Sequence, residues 1–212
     1  MNYRIKVVAF IGAVLFLSAF LNGYGQTGIR IGITGGVNAN QIKTSTNVSN
    51  LLWKYNAGIS GTKKISDNFA LTSELSYSRQ GRRLDLSSAR KYVTNFDYLA
   101  LPVLLRYSPG GKEWFIQAGG KFGLLVNSKE TYIYNNNNSP NNLQHLRQWD
   151  AGALAGLGYR LGSHIVVDVR YYNGLTPLIK DHWMFGPDST PLFYGADRWV
   201  HRVWSMNLTY YL

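Results

Sequence analysis

The chain contains no cysteine. That one absence excludes a disulfide scaffold, thiol catalysis, thiolate metal sites and a lipid anchor on cysteine. Charge is also scarce: Asp, Glu, Lys and Arg together supply 16% of the residues, against about 25% in ordinary soluble domains. So little charge fits a surface that faces lipid over much of its area. Long apolar runs are missing as well. The run from Val7 to Leu21 falls short of the roughly 20 residues that a spanning helix needs. No segment has the pattern of an amphipathic helix, a nucleotide-binding βα unit or a solenoid repeat. Aromatic residues, by contrast, are abundant at 14%.

Arg4 and Lys6 precede the apolar run, and Gly23-Tyr24-Gly25-Gln26 follows it. A basic start, a short apolar core and small residues two apart make a secretory signal peptide, with cleavage expected after Gly25. An uncleaved anchor is the alternative, and the length of the run weighs against it. The expected organisation is a signal peptide over 1–25 and a single domain over 26–212. Without Arg4 and Lys6 the chain keeps 20 basic against 11 acidic residues, a formal charge of +9. An exported basic protein is not built for nucleic acid; anionic lipopolysaccharide and polyanionic glycans are its expected neighbours.

The clearest pattern lies between Trp149 and Tyr172. Ala151, Ala153, Ala155, Leu157 and Tyr159 alternate with polar or glycine positions, and so do Ile165, Val167, Val169 and Tyr171 after a turn at Leu161-Gly162-Ser163. This is a β-hairpin with one apolar side. The same alternation recurs in strands expected over 28–39, 53–62, 69–78, 98–107, 114–126 and 203–212. A polar connection over 41–50, a basic loop over 80–96, a segment over 127–148 and a last connection over 173–201 are long. The others are tight, so long and short connections alternate. Asn135 to Asn138 reads as a loop tip, and Pro102 as a bulge or local break, because it donates no ladder bond. Eight strands with this alternation predict an all-β fold: an eight-stranded antiparallel up-and-down transmembrane β-barrel with short periplasmic turns and long extracellular loops.

Alternation alone leaves open whether the apolar face meets lipid or fills a soluble, lipocalin-like barrel. An eight-stranded barrel has an interior only wide enough for side chains to fill, and the apolar faces carry too many large aromatic rings to share it. Trp53, Tyr77, Trp149, Tyr171 and Trp204 fall towards the long-loop end, whereas Tyr107, Trp114, Tyr159 and Tyr210 fall towards the short-turn end. Two such groups are expected as the aromatic girdles of an outer-membrane barrel. On the other face Glu74, Asp150 and Asp168 can meet Arg106, Lys121, Arg160 and Arg170. Enclosed charges must pair, since an unmatched one costs several kcal/mol, so this set is expected to plug the lumen.

Gly35-Gly36-Val37-Asn38, Glu74-Leu75-Ser76-Tyr77-Ser78 and Leu101-Pro102-Val103-Leu104-Leu105-Arg106-Tyr107 resemble the PorT-like outer-membrane β-barrel family of Bacteroidetes. So do Gly119-Gly120, Gly156-Leu157-Gly158 and Arg170-Tyr171 with Gly174-Leu175. The resemblance covers essentially all of 26–212. It implies an integral outer-membrane barrel of the Gram-negative envelope within the porin family, inserted by the barrel-assembly machinery. The closing strand ends in Leu212 rather than the more usual aromatic, which shifts the expected recognition to Tyr210. One member of that family serves a secretion system, a role that fold likeness alone does not transfer.

The last connection holds Asp181, His182, Asp188, Ser189, Asp197, Arg198 and His201, the one place where a hydrolase-like or metal site could be assembled at the outer rim, although solvated loop residues are the favoured reading. None of them has diagnostic metal or catalytic spacing, so no cofactor, metal or catalytic residue is assigned. Trp183, Phe185, Phe193, Tyr194 and Trp199 in the same stretch form a candidate ligand loop or a lid over the barrel mouth. Arg82, Arg83, Arg90 and Lys91 outnumber Asp85 in a basic patch at lipopolysaccharide level. Three functional classes follow: a structural or binding barrel with an envelope protein as partner, a small-solute channel, and an outer-rim enzyme, in that order.

Overall fold

The computed structural model describes residues 28–43, 50–87, 90–134, 137–141, 146–178, 183–185, 191–193 and 199–212. Eight long strands follow one another: β1 (Ile29–Lys43), β2 (Leu52–Lys64), β3 (Phe69–Ser87), β4 (Arg90–Tyr107), β5 (Trp114–Tyr134), β7 (Trp149–Leu161), β8 (Ile165–Gly174) and β11 (Val200–Tyr211). A short β6 (Asn137–Asn141) and the pair β9 (Trp183–Phe185) and β10 (Pro191–Phe193) lie between them. Every neighbouring pair is antiparallel, β1 pairs with β11, and β4 pairs with β5, so the sheet closes on itself. Closure leaves the barrel itself no free edge, which is why a chain can cross lipid in this form.

Alternation in the sequence becomes inside and outside. Ile33, Trp53, Ile116, Leu157, Trp204 and Met206 are among the most exposed large side chains. Thr34, Thr72, Ser76, Gln117, Asn207 and Thr209 are buried in the lumen. The short turns share one end. The β4–β5 turn is a 3-10 turn at Pro109–Gly111 in which Gly110 and Gly111 take φ of 59° and 66°, a left-handed backbone that favours glycine.

Two expectations about loops are corrected. The basic stretch over 80–96 is not a loop: β3 and β4 stay paired as far as Asp85–Lys91 and Ser87–Arg90. The segment after Asn127 likewise continues β5 to Tyr134, and Asn137 and Asn138, read as a loop tip, pair back with Tyr134 and Ile133 as part of β6. Backbone pairing does not need an apolar outer face once a strand has left the lipid, so alternation stops before the strand does. Pro102 interrupts the ladder to β3 between Ser73–Val103 and Ser76–Ala100 but leaves the register unchanged. The register shift falls instead between Asp97 and Tyr98, against β5.

Aromatic rings do enter the lumen, and glycine makes the space. Phe115 and Gly158 are cross-strand partners, and a Cβ on Gly158 would lie 2.3 Å from the Phe115 ring. Tyr211 and Gly32 are paired in the same way, with 3.1 Å from that Cβ position to the ring. Phe115 and Tyr211 join Val166 in a buried cluster at the short-turn end. Leu104, Leu154, Tyr172 and Val203 form one at mid-height, and Ile42, Phe96, Tyr98, Leu125 and Leu178 form one at the loop end.

Candidate functional site

The lumen charges gather around Arg170. Parity sends Arg170 and Asp168 of β8 inward beside Gly156 and Gly158 of β7, and a Cβ on Gly156 would lie 3.2 Å from Cγ of the arginine. Its Nε donates to Asp168 at 2.5 Å and Nη2 to the same carboxylate at 2.8 Å. Nη1 and Nη2 each donate to Glu74 at 2.7 Å. Asn207, the register partner of Asp168, donates its amide to that carboxylate at 3.0 Å. Arg106 lies 3.9 Å from Asp168 and donates to Gln117 at 3.0 Å and to the Tyr211 hydroxyl at 3.1 Å. These groups come from β3, β4, β5, β8 and β11, so the knot ties opposite walls of the barrel together.

Above the knot the lumen has a small cavity of about 40 Å³ lined by Asn38, Glu74, Lys121 and Tyr172 among others, room for a few water molecules. Lys121 is not part of the knot. Its ammonium sits 3.3 Å from the centre of the Tyr172 ring, a cation–π contact. Tyr172 donates its hydroxyl to Asp150 at 2.8 Å, and Thr176 donates to the other oxygen at 3.0 Å. Asp150 and Lys121 therefore form a second group with Tyr172 between them. Arg160 belongs to neither group, contrary to expectation. It lies at the short-turn rim, 3.6 Å from Glu113, and donates to the Lys112 carbonyl. Position 160 follows the inward parity, but the barrel has ended there.

All nine predicted girdle residues lie on the outward surface. Tyr171 and Trp204 pack at 4.8 Å between ring centres, Tyr77 lies 6.2 Å from Tyr55, and Trp149 stacks on Phe122 at 6.4 Å. Trp53 is 65% exposed. At the other end Tyr107 packs on Phe69 at 5.0 Å, Trp114 pairs with Tyr159 across β5 and β7, and Tyr210 stacks on His164.

Of the two histidines assigned to the last connection, one is not a loop residue. His201 is a residue of β11, fully buried, with Nε2 3.2 Å from the Tyr98 hydroxyl and Phe96 edge-on. His182, Asp181, Asp188, Ser189, Asp197, Arg198 and Tyr194 lie outside the described residues. Trp183, Phe185 and Phe193 fall in β9 and β10, which pair with each other. Trp199 packs as a lid residue against the loop-end cluster with the Arg82 guanidinium 4.2 Å from its ring centre. Arg82 thus turns inward, towards Glu130 at 3.6 Å, and leaves the basic patch. No group of three or more His, Asp or Glu side chains among the described residues is placed to hold a metal.

Sequence reasoning missed Tyr172, Thr176 and Asn207, and with them Asn38 and Asn56, the latter donating to Asn38 at 2.8 Å and to Asn207 at 3.1 Å. The signal was available for four of them, since each holds an inward parity position on a strand; Thr176 lies beyond the end of β8.

No curated protein matches the sequence. Among solved structures, the barrel is similar to Neisserial surface protein A, with a TM-score of 0.52 and 12% identity over 87% of this chain and 99% of that one. Ail, the attachment invasion locus protein of Yersinia pestis, gives a TM-score of 0.47 and 10% identity over 86% of this chain and 98% of that one. At such identity the first likeness concerns the fold alone. A family model described as the outer membrane protein beta-barrel domain matches residues 24–180, most of the sequence, and the chain belongs to that family.

Proposed function

We propose that this protein is a non-enzymatic structural and binding barrel of the Gram-negative outer membrane, exported with a cleaved signal peptide over 1–25 and closed to solutes. The observation that carries this reading is the Arg170 knot, in which four hydrogen bonds of 2.5 to 2.8 Å join Glu74 and Asp168 across the lumen. A pathway for solutes needs an opening and weak sites along it; a bidentate ion-pair knot offers neither. With the interior committed to holding the walls together, the outward end carries the function, through lipopolysaccharide and an envelope protein partner. The motifs quoted above support membership of the PorT-like branch, and the closing strand Val200–Tyr211 supports insertion by the barrel-assembly machinery.

Planar-bilayer recording tests this. Wild-type chain is expected to be silent, and Glu74→Gln with Arg170→Met is expected to open brief conductance steps. Lys121→Ala, outside the knot, is expected to stay silent. Stable conductance by the wild type overturns the reading and makes the protein a small-solute channel with the knot as its selectivity site.

A further inference from the structure

Past the girdle residue Tyr77, the sheet of β3, β4 and β5 stands out from the barrel with two faces of opposite character. Register and parity turn Arg82, Thr94 and Glu130 towards the barrel axis, and Arg79, Arg83, Lys91, Asp97 and Lys129 away from it. On the outward face two arginines are already held. Arg79 lies 3.2 Å from Asp97, and Arg83 lies 2.9 Å from Asp85. Asn127 and Asn50 donate to those same carboxylates at 3.0 and 2.8 Å. Lys129 has no carboxylate within 4.0 Å among the described residues, whereas Lys91 stands opposite Asp85 in the ladder and shares the field of that carboxylate with Arg83. Four cations therefore meet two carboxylates on this face, a surplus of positive charge, with Asn95 beside Lys129 and Thr131 on the rung between Lys129 and Lys91.

Its height selects the partner. A strand advances about 3.3 Å per residue and barrel strands tilt by about 40°, so the stretch from Arg79 to Arg83 stands roughly 5 to 15 Å beyond Tyr77. The polar layer of a bilayer is about 5 to 8 Å thick on each side. By register Lys129 is level with Gly81 and Lys91 with Asp85, about 10 and about 20 Å beyond Tyr77 on the same strand geometry, so the outward cations run from the headgroup phosphates into the phosphorylated sugars above. Because β3 and β4 remain hydrogen-bonded, these charges are held at strand spacing rather than on a floppy loop.

We infer that this outward face of β3–β5 is a docking surface for the phosphorylated headgroup of lipopolysaccharide, with Lys91 and Lys129 binding phosphate and Asn95 and Thr131 meeting sugar hydroxyls. This rests on the outer-membrane reading above and names the site through which the lipid is held.

The test uses the full barrel domain in detergent micelles, titrated with bisphosphorylated lipopolysaccharide, with the same lipid after dephosphorylation, and with phosphatidylglycerol. Bound lipid is counted by native mass spectrometry, and heat-modifiable gel migration reports whether each variant is a folded barrel. Lys91→Ala with Lys129→Ala is expected to weaken binding of the phosphorylated lipid at least tenfold, as dephosphorylation does for the wild type. Lys63→Ala with Lys112→Ala, which removes the same charge from the short-turn end, is expected to change it less than twofold. Equal binding by wild type and the Lys91 and Lys129 variant overturns the inference. So does an equal loss in the Lys63 and Lys112 variant, or phosphatidylglycerol binding as well as lipopolysaccharide, since either means general charge attraction. A wild type that folds but inserts into no bilayer defeats the outer-membrane reading itself, which a lipid-indifferent but inserted barrel does not.

Discussion

Replacing Arg170 with methionine keeps much of the volume of the side chain and removes its charge. Four hydrogen bonds to two carboxylates are lost together. Glu74 and Asp168 are then left buried with one remaining cation, Arg106, at 3.9 Å from Asp168. Breaking a buried pair from one side costs about 3–5 kcal/mol, because a charge remains in a medium that solvates it poorly. Asn207 still donates to Asp168 at 3.0 Å, which places Arg170→Met nearer the lower figure. Glu74→Gln in the same chain removes one stranded charge, so the double variant is expected to recover about 2 kcal/mol of the loss, a coupling typical of residues in one network. Reversible urea unfolding from lipid vesicles, followed by tryptophan fluorescence, measures both quantities. A cost below about 1 kcal/mol for Arg170→Met, or no recovery in the double variant, would refute the view that the knot holds the walls together.

Gly158→Val is expected to destabilise the barrel by about 1–3 kcal/mol or to abolish folding, because the new Cβ would meet the Phe115 ring at 2.3 Å. Gly35→Ala on the outer surface, where the nearest atom is 3.7 Å away, is expected to stay within about 0.5 kcal/mol in the same assay. His201→Ala leaves the Tyr98 hydroxyl without its partner and is expected to cost about 2 kcal/mol, read by urea unfolding. A double-mutant cycle on Tyr171 and Trp204, whose rings lie 4.8 Å apart, is expected to give a coupling of about 0.5–1.5 kcal/mol.

The faces of the strands were legible because lipid on one side and a narrow interior on the other impose a strict period of two. Where lipid ends, that constraint ends. Arg82-Arg83-Leu84-Asp85 is mostly charged and reads as loop, yet the backbone of β3 goes on pairing with β4. A second signal was present in the β-forming residues Tyr92-Val93-Thr94 and Thr131-Tyr132-Ile133-Tyr134, which favour pairing whatever the solvent. Among the predicted lumen charges, parity chose the right face but not the height. Glu74, Arg106, Asp168 and Arg170 meet because their strands bring them to one level, whereas Asp150 and Lys121 gather around Tyr172 and Arg160 reaches the rim. Height in a barrel follows from strand stagger, a property of the whole closed sheet that no single strand reveals.

Stagger also explains why chemistry in this molecule is pushed to the outside. The lumen is packed at three levels: Phe115 and Tyr211 near the turns, the Arg170 knot with Leu104, Leu154 and Tyr172 at mid-height, and Phe96, Tyr98 and Trp199 at the mouth. A ligand entering from the mouth would have to displace packed aromatic rings before reaching the cavity beside Lys121. The sheet of β3, β4 and β5 requires no such displacement. It leaves the membrane as hydrogen-bonded backbone, its inward cation Arg82 is engaged by Trp199 and Glu130, and its outward lysines face the leaflet. A filled interior therefore anchors the base of a rigid polar surface whose charges stand at fixed distances above the lipid.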